Sequence, residues 1–231
     1  MLKIRWIGQN GYILSDAENE ICIDPYLSNV VDRVAKRGRM VDPPFSPDML
    51  KSDVVICTHN HLDHVDIDAI PLMDKRDMTF LAPTDAKQQL MECGVVNYIG
   101  FDEGEVYTVG DFELRAVYAN HSVPAVGVII KHPSATLYFS GDTLYDEKLK
   151  ELKKYNIDIM FICINGMLGN MDADEAAELT SFLKPKVGVP THYGMFESNT
   201  EDPKKYTSQV EKSFEMEYNT EYSIEEVLSD V

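Results

Sequence analysis

One short run constrains this chain more than any other segment: His-Asn-His-Leu-Asp-His, which begins at His59 and follows a predicted strand. Residues 54–57 are Val-Val-Ile-Cys, an apolar stretch typical of a buried strand. His59 and His61 are two residues apart, so an extended chain presents both on one side. Asp63 and His64 are adjacent and point in different directions, so they can serve a second centre. The alternative interpretation is a polar surface loop with several histidines.

Three further potential ligands also follow strand-like segments. His121, Asp142 and His192 each come directly after a short stretch that predicts a strand. In layered α/β folds, active-site groups collect where strands give way to loops. Imidazole and carboxylate suit Zn²⁺ or Mn²⁺, with Fe²⁺ as a third candidate. His132 lies in the turn-like sequence Lys-His-Pro, which predicts a solvated surface residue.

These motifs resemble, in order and along about the whole chain, those of the metallo-β-lactamase superfamily. They are His-x-His-x-Asp-His, a lone histidine, Ser-Gly-Asp-Thr at residues 140–143 and a final histidine. A narrower resemblance, to the L-ascorbate-6-phosphate lactonase family, lies in segments 164–171 and 190–196, in the acidic alanine-rich helix between them and in segment 24–28. The superfamily resemblance implies an α/β fold, specifically a four-layer αβ/βα sandwich.

The same resemblance implies a pair of divalent metal ions, each held by three side chains and joined by one carboxylate. The residues implied for the first ion are His59, His61 and His121. Those implied for the second ion are Asp63, His64 and His192, and the implied bridge is Asp142. Two ions about 3.5–4 Å apart can lower the pKa of a shared water toward about 7. Asp63, which can orient the resulting hydroxide, and Asp142 are therefore the implied catalytic carboxylates.

Two positions near these motifs have competing interpretations. Asp24 ends a predicted strand, and it either hydrogen-bonds a ligating imidazole from behind or starts a turn before Pro25. Tyr193 directly follows a predicted ligand, so it either lines the rim of the site and contacts substrate or packs in the interior. The sequence leaves both choices open.

The glycine-bearing loop over residues 165–171 has a functional and a structural interpretation. In the first, which the lactonase resemblance suggests, Asn165 and Asn170 contact the substrate. In the second, the loop is a strand-to-helix turn in which Asn170 or Asp172 caps the following helix. Both interpretations remain open at this point.

A basic run lies in an otherwise acidic chain. Residues 33–39 hold four positive charges and no acid, inside segment 26–50, which has three prolines and no clean periodicity. We predict a long loop there, and such loops are often functional. The run, with Arg37 as the chosen substrate-binding candidate, either forms a lid that grips an anion or is solvated surface charge.

Composition limits the partners and the location of the chain. The formal net charge of −18 disfavours nucleic acid and anionic membranes, so we expect a small-molecule substrate, which the metal ions allow to be anionic. A homo-oligomer is left open. The sequence has no apolar window of about 18 residues and no secretory pattern at its start. Four cysteines lack metal-like spacing and are expected to be reduced, so we predict a cytoplasmic protein. The length of the chain predicts one domain over residues 1–231.

Together these features predict a dinuclear metal-dependent hydrolase, with a lactonase as the best specific prediction. Its substrate would be a small sugar-derived lactone, phosphorylated or not, whose carbonyl is attacked by a metal-activated hydroxide. One alternative is a phosphodiesterase, either ribonuclease Z-like or phospholipase D-like. The other is a non-catalytic metal-binding scaffold, which does not need so complete a ligand set.

Overall fold

The first of two β-sheets contains seven strands. Its strands are β1 (Lys3–Gly8), β2 (Gly11–Ser15), β3 (Glu20–Ile23), β4 (Val54–Ile56), β5 (Thr79–Ala82), β6 (Tyr98–Gly100) and β13 (Glu221–Ser223). They lie in the order β13-β1-β2-β3-β4-β5-β6 in the computed structural model, which describes residues 1–229. The strands from β3 to β6 are parallel, and β1, β2 and β13 pair antiparallel with their neighbours.

The second sheet contains six strands. They are β7 (Val106–Val109), β8 (Phe112–Tyr118), β9 (Val126–His132), β10 (Ala135–Phe139), β11 (Ile159–Cys163) and β12 (Val187–Thr191). Their order is β12-β11-β10-β9-β8-β7, with β10, β11 and β12 parallel. Because β9 is antiparallel to both β8 and β10, strands β8, β10 and β12 end at the same edge of this sheet.

Helices accompany both sheets. The α-helices are α1 (Val30–Ala35), α2 (Lys87–Glu92), α3 (Ala173–Leu183), α4 (Lys204–Thr207) and α5 (Ile224–Ser229). The 3-10 helices are Pro47–Met49, Ile70–Leu72, Thr84–Ala86 and Glu147–Tyr155. Helix α3 begins at a capping box, in which Asp172 accepts from the backbone of Glu175 while the Glu175 side chain accepts from the Asp172 backbone. It ends at Lys184, whose φ of 55° is left-handed.

Three buried clusters define the layers. The cluster between the sheets takes side chains from both of them, including Leu14, Ile23, Ile56, Leu114, Ile130 and Phe161. A second cluster joins Phe80 of β5 to Leu90 of α2, and a third joins Met160 of β11 to Leu179 of α3. Each large apolar side chain buried in this way stabilises the fold by about 1.5–3 kcal/mol. The helices therefore cover the outer faces, which is the predicted four-layer αβ/βα sandwich.

The prediction of an irregular loop over residues 26–50 is wrong in part. This segment contains helix α1 and the 3-10 helix Pro47–Met49. Helix α1 has only six residues, and its N-cap residue, Asn29, makes no side-chain capping hydrogen bond. Tertiary packing holds it instead, because Val30 is buried with Tyr26 and Phe196.

Two other elements depend on particular contacts. The 3-10 helix Glu147–Tyr155 begins where Asp146 accepts a hydrogen bond from the backbone of Lys148. Strand β13 has three residues and depends on a long-range pair with β1, of which Lys3 opposite Ser223 is one register point.

Two observations concern membrane-spanning helices and the cysteines. Within residues 1–229, no helix is both long enough and apolar enough to cross a membrane. All four cysteines are buried and free, as expected for reduced thiols that serve as small core residues.

Candidate metal centre

The first cluster of the centre brings three imidazoles together. The loop after β4 presents His59 Nε2 2.9 Å from His61 Nδ1, and His121 Nε2, from the loop after β8, lies 3.2 Å from the same His61 atom. Unprotonated ring nitrogens that converge in this way repel one another unless a cation lies between them. The three atoms therefore suit one metal ion, as the superfamily resemblance implied.

The second cluster combines two imidazoles with a carboxylate. Asp63 Oδ2 lies 3.8 Å from both His64 Nε2 and His192 Nε2. Donor atoms about 2.0–2.1 Å from a tetrahedral ion are separated by about 3.4 Å, so this spacing suits a second ion. Each of the two clusters has all of its ligand atoms within 4.8 Å of one another.

Asp142 lies between the clusters. It follows β10, is 5% exposed and places Oδ1 3.1 Å from His192 Nε2 and 3.4 Å from His64 Nε2. Its other oxygen, Oδ2, is 4.0 Å from His121 Nε2. Each carboxylate oxygen thus faces a different cluster, which is the position required of a bridging ligand.

Contacts outside the two clusters orient the ligating rings. Asp24 is fully buried, accepts hydrogen bonds from the backbone and hydroxyl of Thr58, and has Oδ2 2.8 Å from His64 Nδ1. His121 Nδ1 lies 3.0 Å from the carbonyl of Gly169. A proton held on Nδ1 by such an acceptor leaves Nε2 free to bind metal. Gly169 is needed here, because a Cβ at this position would lie 2.9 Å from His121 Nδ1.

The charges of the site favour a bound cation. Burial lowers the pKa of His59 well below its usual value, which favours the neutral ring that metal binding requires. Burial opposes charge on His64, but the carboxylates of Asp24 and Asp142 raise the pKa of this imidazole well above its usual value. Burial would raise the pKa of Asp142, yet His192 and His64 hold it well below its usual range. The second cluster therefore retains carboxylate charge.

Sequence reasoning placed a turn between β1 and β2 but missed that its side chains enter the centre. Gln9 donates from Nε2 to Asp63 Oδ2 at 2.9 Å, and Asn10 donates from Nδ2 to Asp142 Oδ1 at 2.6 Å. The backbone carbonyl of Gln9 also accepts from the backbone N–H of His192. The only signal in the sequence is the pair of amides between Gly8 and Gly11, which by itself indicates a turn.

A cavity of about 510 Å³ opens above the centre. Its walls include the metal-centre residues His61, Asp63, Asp142 and His192. Its remaining lining residues are Val31, Ala35, Arg37, Leu62, Ser122, Leu168, Phe196 and Asn199. The convergent ligands and the cavity together provide a place where a small molecule can reach both clusters.

The fold and the ligand pattern agree with a comparison of the sequence with known families. Residues 3–192 match the model of the β-lactamase superfamily domain. The chain belongs to the metallo-β-lactamase superfamily. UPF0173 metal-dependent hydrolases from Oenococcus oeni and Pyrobaculum islandicum are each 29% identical, over 90% and 91% of this chain and 93% and 92% of theirs.

The solved structures include the metallo hydrolase Igni18 of Ignicoccus hospitalis, which superposes with a TM-score of 0.77 at 24% identity. The match covers 96% of this chain and 97% of that one. This likeness shows that the protein has the metallo-β-lactamase fold. The narrower resemblance to ascorbate-6-phosphate lactonases stays a prediction.

The structure places the predicted substrate-binding residues at different depths. Arg37 lines the cavity, whereas Asn165 and Asn170 are 3% exposed and hydrogen-bonded to each other. Asn165 also donates to Asn199, which does line the cavity. Tyr193 packs on Trp6, with ring centroids 5.0 Å apart. Direct contact of these side chains with substrate stays a prediction, and the geometry favours a supporting position for all except Arg37.

The basic run does not act as one surface. Arg33 forms a two-point ion pair with Asp68, and Lys36 donates to the carbonyl of Arg33. Arg39 donates to three backbone carbonyls and stacks over Tyr26 at 4.4 Å. The interpretation of a four-cation lid is therefore wrong, because only Arg37 faces the cavity.

The prediction that His132 is a solvated surface residue is also wrong. Its side chain is 7% exposed, and Nε2 lies 3.5 Å from Asp16 Oδ2. Its ring packs near Phe112, and Nδ1 accepts from the backbone of Ser134. His132 ends strand β9, and the turn after it folds the imidazole back onto the sheet.

Proposed function

We propose that this protein is a hydrolase that holds two divalent metal ions and opens a lactone ring. The observation that supports this most directly is the position of Asp142, whose two oxygens face the two ligand clusters. The donor set of nitrogen and oxygen suits Zn²⁺ or Mn²⁺, with Fe²⁺ as a further candidate. An isolated structural site would not need a second cluster or an open cavity.

The chain supplies the groups that such a reaction requires. When bound, the ions supply Lewis acidity and lower the pKa of a water molecule. Asp63 lies on the cavity wall, where its carboxylate can orient the attacking water and take up its proton. The hydrogen bond from Gln9 fixes that carboxylate. Water adds to the acyl carbon, the ring C–O bond breaks, and the proton passes to the released alkoxide to give a hydroxy acid.

A phosphodiesterase is the alternative function. A phosphate ester could bind at the same centre, but within the described part of the chain Arg37 is the only Lys or Arg side chain on the cavity wall. With a net charge of −18, the protein also repels long polyanions. We therefore propose a small molecule as the substrate, with neither nucleic acid nor a membrane as a partner. We also propose a cytoplasmic location.

A comparison of substrates tests this proposal. Protein reloaded with Zn²⁺ or Mn²⁺ is expected to hydrolyse simple γ- and δ-lactones, detected by acid release, and to turn over bis(p-nitrophenyl) phosphate much more slowly. Protein stripped by a chelator serves as the control and is expected to be inactive on both. A higher kcat/KM on the phosphodiester than on every lactone would favour the alternative function instead.

A further inference from the structure

We propose that the cavity takes an amphipathic anion: an acyl compound with an apolar body and an anionic group that meets Arg37. This inference rests on the proposed function, since it names the substrate class of the same site. The first support is the composition of the wall. Apart from the metal-centre residues, its apolar members outnumber the polar ones, and they are Val31, Ala35, Leu62, Leu168 and Phe196.

Leu168 carries the argument further. Its φ of 55° lies in the left-handed region, which a bulky residue rarely adopts. Its side chain is nevertheless 55% exposed at the cavity, so no internal packing explains the conformation. Backbone strain of this kind clusters at ligand-contacting segments. The loop thus holds an apolar side chain out toward a ligand.

Arg37 is available for an anion. Among residues 1–229 it has no hydrogen-bonding or ion-pairing partner, whereas Arg33 and Arg39 on either side are engaged. Its planar guanidinium can bind a carboxylate or a phosphate through two hydrogen bonds. Arg37 therefore selects for a negative charge on the substrate.

The polar groups of the wall are too few for a sugar. Away from the metal centre and Arg37, only Ser122 and Asn199 are polar, and Asn199 Oδ1 already accepts from Asn165. A polyhydroxylated body would lose its hydrogen bonds with water and find few replacements. An alkyl or aryl body gains by burial against the same wall. The cavity thus favours an apolar lactone over the sugar-derived one expected from the sequence.

Two matched series of γ-lactones test the inference. In the first series the alkyl side chain grows, and each added methylene is expected to raise kcat/KM up to about fourfold until the cavity is filled. In the second, a terminal carboxylate replaces a terminal hydroxyl and is expected to raise kcat/KM about tenfold in wild type and in Arg33→Gln, but not in Arg37→Gln. Leu168→Asn, which keeps a left-handed residue, should flatten the dependence on chain length.

Failure of the inference can be told apart from failure of the proposed function. Ring-opened hydroxy acids serve as binding probes whether or not any lactone is hydrolysed. A long-chain dicarboxylic acid should raise Tm in wild type and not in Arg37→Gln, while gluconate should leave Tm unchanged. The inference would be overturned if gluconate raised Tm as much as the dicarboxylic acid does. It would also be overturned if Arg33→Gln and Arg37→Gln had equal effects on the Tm shift. Absence of lactone turnover with the expected binding pattern would overturn only the reaction.

Discussion

Replacing His61 by alanine is expected to reduce bound metal below two ions per chain and to lower kcat/KM at least about 10³-fold. His61 Nδ1 is the atom that both His59 and His121 approach, so its loss leaves the first cluster with two nitrogens. A metal ion contributes several kcal/mol of transition-state stabilisation, and about 4 kcal/mol corresponds to that factor. Because His61 is only part-buried, the variant should still fold. Elemental analysis and lactone kinetics measure both effects.

His132→Asn is the matched control, since His132 is the one histidine outside the two clusters. It removes the contact with Asp16 and the packing on Phe112, so we expect lower stability but unchanged metal content. Equal loss of metal in both variants would show that the ligands have been misassigned. Saturation of the wild type at one ion would contradict the proposal of a metal pair.

The ligands of the centre were accessible to sequence reasoning because each follows a strand. A buried strand has a recognisable apolar pattern, so His121, Asp142 and His192 could be recognised as strand-end residues, and the superfamily resemblance implied that they join the first motif. The contacts of Gln9 were not accessible. Gln9 reaches Asp63 across 54 positions of the chain, and nothing in a Gly-Gln-Asn-Gly turn shows what lies opposite it.

Charge patterns were the least informative part of the sequence. The four cations of residues 33–39 look equivalent along the chain, yet their partners are set by helix α1 and by the carbonyls around Tyr26. Helix α1 itself depends on Phe196, which lies far away in the sequence. Local propensity decides little for a six-residue helix, and tertiary packing decides the rest.

Replacing Asp24 by asparagine is expected to weaken the second metal ion about 10–100-fold, although Asp24 touches no metal. The carboxylate accepts two hydrogen bonds from Thr58 and holds the Nδ1 proton of His64, so its oxygens are fully used in the interior. An amide can present only one oxygen, and its NH₂ group facing His64 would favour the wrong tautomer of the ring. His64 Nε2 would then carry a proton where the metal should bind.

The same substitution should destabilise the protein even without metal. Breaking a buried charged pair costs roughly 3–5 kcal/mol, which for a chain of this size lowers Tm by roughly 6–20 °C. Thermal unfolding of metal-free protein isolates this effect, and chelator competition measures the affinity. Asp77→Asn, the same change at an exposed position, should alter neither quantity. An Asp24→Asn variant that binds two ions with wild-type affinity would mean that Asp24 serves only the turn before Pro25, and that the orientation of His64 is set by Thr58 alone.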